Sequence, residues 1–259
     1  MRLLAVLLLL SSLACARVKD AEPEAQKKDP EWQPVAPIAC VNDWTPAGNG
    51  IEYRMLDCTP EEFALHLVRI DPKKVKLEAV IQSGSDARTV AGGTGSFGIN
   101  ANFFDTDGKP LGVVMSDARE LNPMHNVSWQ AVFFVDKNGK PGIVRAPDWD
   151  KQRGDAVFGV QAGPRLVVDG QKNQVARARG DLRAGVCIDA EERVIFFATP
   201  HESLFDVWQM VDLAATKLQC RDAMLFDGGP SVQLYLNRQP QPAVVEGDRR
   251  VPVYVVARP

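Results

Sequence analysis

Four short segments of this chain set polar, chemistry-capable side chains at the ends of apolar runs. The first is Gly98-Ile99-Asn100-Ala101-Asn102-Phe103-Phe104-Asp105, leading into Thr106-Asp107-Gly108-Lys109-Pro110. Asn100 and Asn102 can donate and accept hydrogen bonds, as binding a sugar hydroxyl requires, and can donate to phosphate oxygens. Tight-turn preference accounts for the same Asn, Asp and Gly without any ligand. Asp105-x-Asp107-Gly108 lacks the further oxygen ligands and the Glu that a calcium loop needs. The second segment is Gln161-Ala162-Gly163-Pro164-Arg165, where Gly-Pro breaks the chain between two strands and leaves Arg165 as an anion ligand or a surface charge. The third is Arg183-Ala184-Gly185-Val186-Cys187-Ile188, with a guanidinium, the usual partner for bidentate phosphate recognition, at the head of an apolar strand. The fourth is Leu225-Phe226-Asp227-Gly228-Gly229-Pro230-Ser231. Here an apolar strand delivers a carboxylate, Gly228 and Gly229 allow backbone to approach a ligand, and Ser231 can donate. A hairpin turn explains Asp-Gly by itself. His125 and His201 stand alone and read as structural or surface residues rather than acids.

The elements that would position these groups are mostly strands. Short apolar runs bounded by polar or Pro residues lie at 51–56, 64–70, 75–81, 131–135, 142–145, 157–161, 165–168, 186–188 and 194–198. Lys137-Asn138-Gly139 is a strong hairpin signal between two of them. Residues 223–226, 231–236 and 251–257 continue the series. One helix is expected over 204–218, started by Ser203-x-x-Asp206, with Leu204, Trp208, Val211, Ala215 and Leu218 as its apolar face. Many strands and one prominent helix predict a single α+β domain with a large, mainly antiparallel or mixed sheet.

The N-terminus reads as an export signal. Arg2 precedes the apolar run Leu3–Leu10, and Ala14-Cys15-Ala16 supplies small residues for cleavage. The run is too short to span a bilayer, and no later stretch qualifies as a membrane helix. Cleavage after Ala16 would give a free exported protein. Ser12-Leu13-Ala14-Cys15 also resembles a lipoprotein box, with Cys15 lipidated. Residues 17–37 are rich in charge and Pro and poor in core formers, as befits a tether from a membrane anchor, which favours lipidation. The expected organisation is a signal over 1–16, a tether over 17–48 and a folded domain over 49–259. The compartment is the periplasm, with the chain anchored or free.

The net charge is −3 and the pI near 5.7, with no Lys/Arg block, which argues against a nucleic-acid partner. No cofactor motif or zinc cluster is present. After Cys15 four cysteines remain, and an oxidising compartment permits three pairings. Cys40–Cys58, closing the entry to the domain, with Cys187–Cys220 is the preferred set; four buried thiols are the alternative.

Taken together, NANFFDTDGKPLGVVM, QAGPRLVVDGQ, LRAGVCIDAEERVIFFA, a helix and AMLFDGGPSVQLYL resemble, in order and spacing over about residues 50–237, the phosphodiester glycosidase family and its exported bacterial branch. Asn100-Ala101-Asn102 stands where the family more often has Asn-Gly-Gly or Asn-Ala-Gly, and Pro230 stands where it more often has Gly. The resemblance implies hydrolysis of a sugar-1-phosphate diester at the sugar–phosphate bond, with an envelope glycan or sugar phosphate as substrate. Such a reaction needs an anion clamp, for which Arg183 is the first candidate and Arg165 the second. It needs a carboxylate at the anomeric carbon, Asp227 first and Asp105 second. Asn100, Asn102, Gly228, Gly229 and Ser231 would orient the substrate. The alternative is an envelope protein that binds glycans without turnover. Catalysis requires Asn100, Asp105, Arg183 and Asp227 to converge within roughly 10 Å of a common centre, the scale of paired glycosidase carboxylates. Arg183 should then be partly buried beside a carboxylate.

Overall fold

The computed structural model describes residues 39–41, 43–48, 50–59, 63–93 and 95–258. The expected signal, Cys15 and most of the tether lie outside the described residues. Within them, three antiparallel sheets surround one apolar core. The largest runs Ala39–Val41, Ile51–Thr59, Phe63–Ile70, Val194–Ala198, Ala184–Ile188, Asp222–Leu225, Arg165–Val168, Gln171–Lys172, with Thr45–Gly48 also paired to Ile51–Thr59. A second sheet runs Pro141–Arg145, Ala131–Asp136, Ala156–Ala162, Val114–Ser116, Arg119–Asn122. The third runs Ala243–Val245, Leu234–Leu236, Phe97–Asn100, Val253–Ala257, Leu77–Ile81. The first domain boundary therefore moves: Ala39–Val41 and Thr45–Gly48, expected in the tether, already pair with the large sheet.

The period of two explains how the sheets pack. In Phe63–Ile70, Val68 and Ile70 face the shared core while Leu65 and Leu67 face outward. Phe196 marks where the three sheets meet: its ring lies 5.0 Å from Phe97 of the third sheet and 5.9 Å from Phe133 of the second. Each sheet's outer face then carries its own cover. Helix Val207–Thr216 packs on the large sheet, helix Ala87–Ala91 on the third, and the 3-10 turn Ala146–Lys151 brings Trp149 onto the second. Strands such as Val194–Ala198 are buried on both faces, so they read as unbroken apolar runs.

The long helix departs from expectation in its phase. It begins at Val207, with Asp206 as N-cap in a reciprocal capping box with Gln209. Ser203 instead accepts a hydrogen bond from the Ala64 N–H, 2.9 Å away. The buried face is Val207, Met210, Val211 and Ala214, not the stripe through Leu204 and Trp208. Leu204 precedes the helix and is 53% exposed. Asp206 wins the start because Gln209 can return the bond, whereas Ser203-x-x-Asp206 places the carboxylate before the helix rather than in it.

The Cys187–Cys220 disulfide is formed, joining the outer face of a large-sheet strand to the segment after the helix. Cys40 and Cys58 are register partners in adjacent antiparallel strands. Their side chains lie outside the described residues.

Candidate active site

Asp227 stands where the large and third sheets touch. Strand Asp222–Leu225 continues through Phe226, whose N–H donates to Ala184 O at 2.8 Å, which holds it to the large sheet. The next N–H, of Asp227, donates to Ala101 O at 2.9 Å, just beyond strand Phe97–Asn100 of the third sheet. Fully buried Asn100 completes the join: its Nδ2 donates to Asp227 O at 2.7 Å and its Oδ1 accepts from Gln233 N at 3.0 Å. Asn100 thus spends both ends of its amide on fixing the Asp227 turn, which is positioning rather than substrate contact.

The turn itself is a short 3-10 element, Gly229–Ser231, in which Pro230 occupies one of the first two positions. A missing N–H there breaks no internal bond. Gly229 has φ +59, and a Cβ on it would lie 3.3 Å from an Asp181 carboxylate oxygen. The glycine therefore lets a second carboxylate close against the turn. Gly229 N–H donates to Leu182 O at 2.9 Å, which ties the turn to the segment carrying Asp181 and Arg183. A Cβ on Gly228 would lie 3.6 Å from Arg183 Nη1, so the guanidinium flanks the first of the two glycines. Burial pushes the Asp227 carboxyl above its ordinary value, opposed by hydrogen bonds from the Ser231 hydroxyl and Gly228 N–H and by the Arg249 charge.

Arg183 is half-buried at the head of strand Ala184–Ile188. Its Nε donates to Phe205 O at 2.9 Å and its Nη2 to Arg179 O at 2.8 Å. Burial lowers its pKa, with Asp181 and Asp206 acting the other way. Those two carboxylates are the compensating charges, and no salt bridge to Arg183 forms among the described residues. Arg183 also lines a cleft of about 450 Å³ with Trp129, Arg145, Pro164, Arg165 and Asn173. Arg165 reaches it because Leu225 N–H donates to Pro164 O at 3.0 Å, joining the Gly-Pro-Arg segment to the Asp227 strand. Phe103 of the first segment packs against Trp129, ring centroids 5.7 Å apart.

Two expected residues are differently engaged. The Oδ1 of Asp105 accepts from the N–H groups of Asp107 and Lys109, at 2.9 and 2.8 Å, which is turn chemistry. Asn102 is buried, and its Nδ2 donates to Gly112 O and Val113 O at 3.3 and 2.9 Å, supporting the scaffold. His125 is exposed, and His201 Nε2 is 2.6 Å from Glu246 O, so neither turns toward Asp227. Asp181, Arg249 and Trp129 were not legible as site residues. They have no motif around them, and only strand register brings them in. Among the described residues no group of three or more His, Cys, Asp or Glu side chains is arranged to hold a metal ion.

The half-buried Asp227 carboxyl, with Asp181 against Gly229 and the half-buried Arg183 against Gly228, defines a class: an α+β domain with a charged, polar site at the junction of two antiparallel sheets. The phosphodiester glycosidase family model matches residues 93–258, well over half the chain, and the chain belongs to that family. Among curated proteins none matches it in sequence. Solved structures similar in fold include three of particular note. One is a hypothetical protein from Synechocystis (15% identity, TM-score 0.57, 87% of this chain and 64% of that one). Another is the catalytic domain of zebrafish N-acetylglucosamine-1-phosphodiester alpha-N-acetylglucosaminidase, auto-inhibited by its pro-peptide (17%, TM-score 0.57, 82% and 83%). The third is a protein described as exported, from Burkholderia pseudomallei (11%, TM-score 0.55, 76% and 74%). The chain thus spans just under two thirds of the Synechocystis structure.

Proposed function

We propose that this chain hydrolyses a glycosyl phosphodiester between the sugar's anomeric carbon and the phosphate oxygen. The observation that carries the reading is the Asp227 turn, with Asp181 and Arg183 against its two glycines. Family membership supports the reaction class. Asp227 acts at the anomeric carbon as nucleophile or base, and Asp181 is the second carboxylate that glycoside hydrolysis calls for. Arg183 holds the phosphate, which takes the electron pair of the broken C–O bond and leaves as a monoester. Water supplies the hydroxyl to the sugar, and its proton passes to a carboxylate or to solvent. Because a phosphate monoester is a tolerable leaving group, a strong general acid is unnecessary. Asp227→Asn should lower sugar release from a glycosyl phosphodiester by at least about 100-fold while the protein stays folded. Turnover unchanged by that substitution removes the assignment, and binding without any turnover by the wild type favours the non-catalytic glycan-binding reading.

The reaction belongs, on this reading, to the cell envelope. The buried disulfide fits an oxidising compartment, and the N-terminal apolar run fits export, with Cys15 as lipid anchor and the following charged segment as tether. Cys15→Ser should then move the protein from the membrane fraction to the soluble periplasm. A wild type already soluble there points to cleavage after Ala16.

A further inference from the structure

The cleft beside the Asp227 turn presents more arginine than one phosphodiester engages. Three of its lining residues are arginines, Arg145, Arg165 and Arg183, and none is acidic. A phosphodiester brings one negative charge, and Arg183, which flanks the catalytic turn, suffices to meet it. Arg145 pairs with Asp148, a carboxylate it shares with Lys151. Arg165 feels the Asp222, Asp148 and Asp169 carboxylates at a distance but pairs with none of them. It is half-buried, and its guanidinium makes no ion pair or hydrogen bond among the described residues. Its chain position is nonetheless fixed, by register with Met224 and by the Asn173 amide donating to its carbonyl at 2.9 Å. Burial and the Arg145 charge disfavour the charged guanidinium more than those carboxylates favour it, so an anion in the cleft stabilises it. Trp129, 54% exposed and braced by Phe103, also lines the cleft. At about 450 Å³ the cleft falls in the range of small-molecule sites.

We propose that Arg165 and Arg145 form a second anion subsite. On this basis the substrate's leaving half carries, beyond the phosphodiester, another phosphate or similarly charged group. This rests on the reading of Arg183 as clamp of the scissile phosphate. The substrate class narrows from any glycosyl phosphodiester to one whose aglycone is itself anionic. Arg165 then selects the aglycone, and Arg183 serves the reacting group.

The test measures calorimetric binding of orthophosphate, pyrophosphate and alkane bisphosphates with one- to three-carbon linkers to the exported protein. At least one bisphosphate should bind about 10-fold or more tightly than orthophosphate, the gain of one added charge-assisted hydrogen bond. Arg165→Gln and, separately, the more exposed Arg145→Gln should each diminish that gain. The subsite is overturned if no member of the series exceeds orthophosphate, or if the gain survives both substitutions. These outcomes are independent of catalysis. Sugar release without bisphosphate preference sinks the subsite alone, and bisphosphate preference without sugar release sinks the hydrolytic reading alone.

Discussion

Asp227 sits under opposing influences on its proton. Burial favours the neutral acid, while Ser231, the Gly228 N–H and Arg249 favour the carboxylate, and burial prevails. A nucleophile or base works only when ionised, so the rate falls as pH drops through the raised pKa. The acid limb of kcat/KM should accordingly lie above the ordinary aspartate range. Ser231→Ala removes a hydrogen bond to the ionised form, so the pKa rises further and the limb moves to higher pH. A pH profile measured on both proteins checks this; a limb that stays put or moves to lower pH means another group controls it. At this scale the sequence was informative where an apolar run ends in a charged side chain, as at Phe226-Asp227 and Arg183-Ala184, which the structure brings to one turn. It misled at Asp105, because Asp before a Gly-containing turn satisfies its own backbone as readily as a ligand. It was silent on Asp181 and Arg249, whose places depend on which strands become neighbours.

Among the elements, strands were legible because both-face burial and alternation leave plain patterns, and Arg165–Val168 and Val194–Ala198 fall where those patterns put them. What could not be read was the division into three sheets, since pairing partners such as Phe97–Asn100 and Leu234–Leu236 lie far apart in the chain. The helix was found but turned. Its apolar residues admit two stripes, and only the Asp206–Gln209 box selects one. The Cys187–Cys220 bridge holds that helix to its sheet, since both cysteines are buried in the cluster that also contains Val207, Met210 and Val211. It closes a separation of 33 residues, for which chain entropy gives about 4 kcal/mol. Replacing both cysteines by Ala should lower unfolding free energy by about 2–4 kcal/mol, read as a fall in urea midpoint with a slope that rises as the freed unfolded chain exposes more surface. An unchanged midpoint would show that the unfolded chain was not constrained by the bridge. Non-reducing peptide mapping of the same protein should also show Cys40 joined to Cys58, as their register allows.

For the whole molecule, the family match begins at residue 93, but the fold does not. Phe63–Ile70 pairs with Val194–Ala198 over five residues of register, and Leu77–Ile81 pairs with Val253–Ala257 over another five. The first of these strands separates Ile51–Thr59 from the interior of the large sheet, and the second forms an edge of the third sheet. Leu65, Leu67, Val68 and Ile70 are fully buried, and they face two different core clusters. Without them Val194–Ala198 becomes an exposed edge with bare apolar surface on both faces, an aggregation-prone arrangement. A chain starting at residue 93 should therefore fail to unfold cooperatively and should aggregate when expressed. By contrast, a chain starting at residue 39 keeps every described strand, so its thermal midpoint should match that of the full chain. Calorimetry of the two truncations separates these cases. Cooperative melting of the shorter chain near the midpoint of the longer would mean that the Asp227 site needs only the two sheets' later strands, and that residues 39–92 decorate the fold rather than complete it.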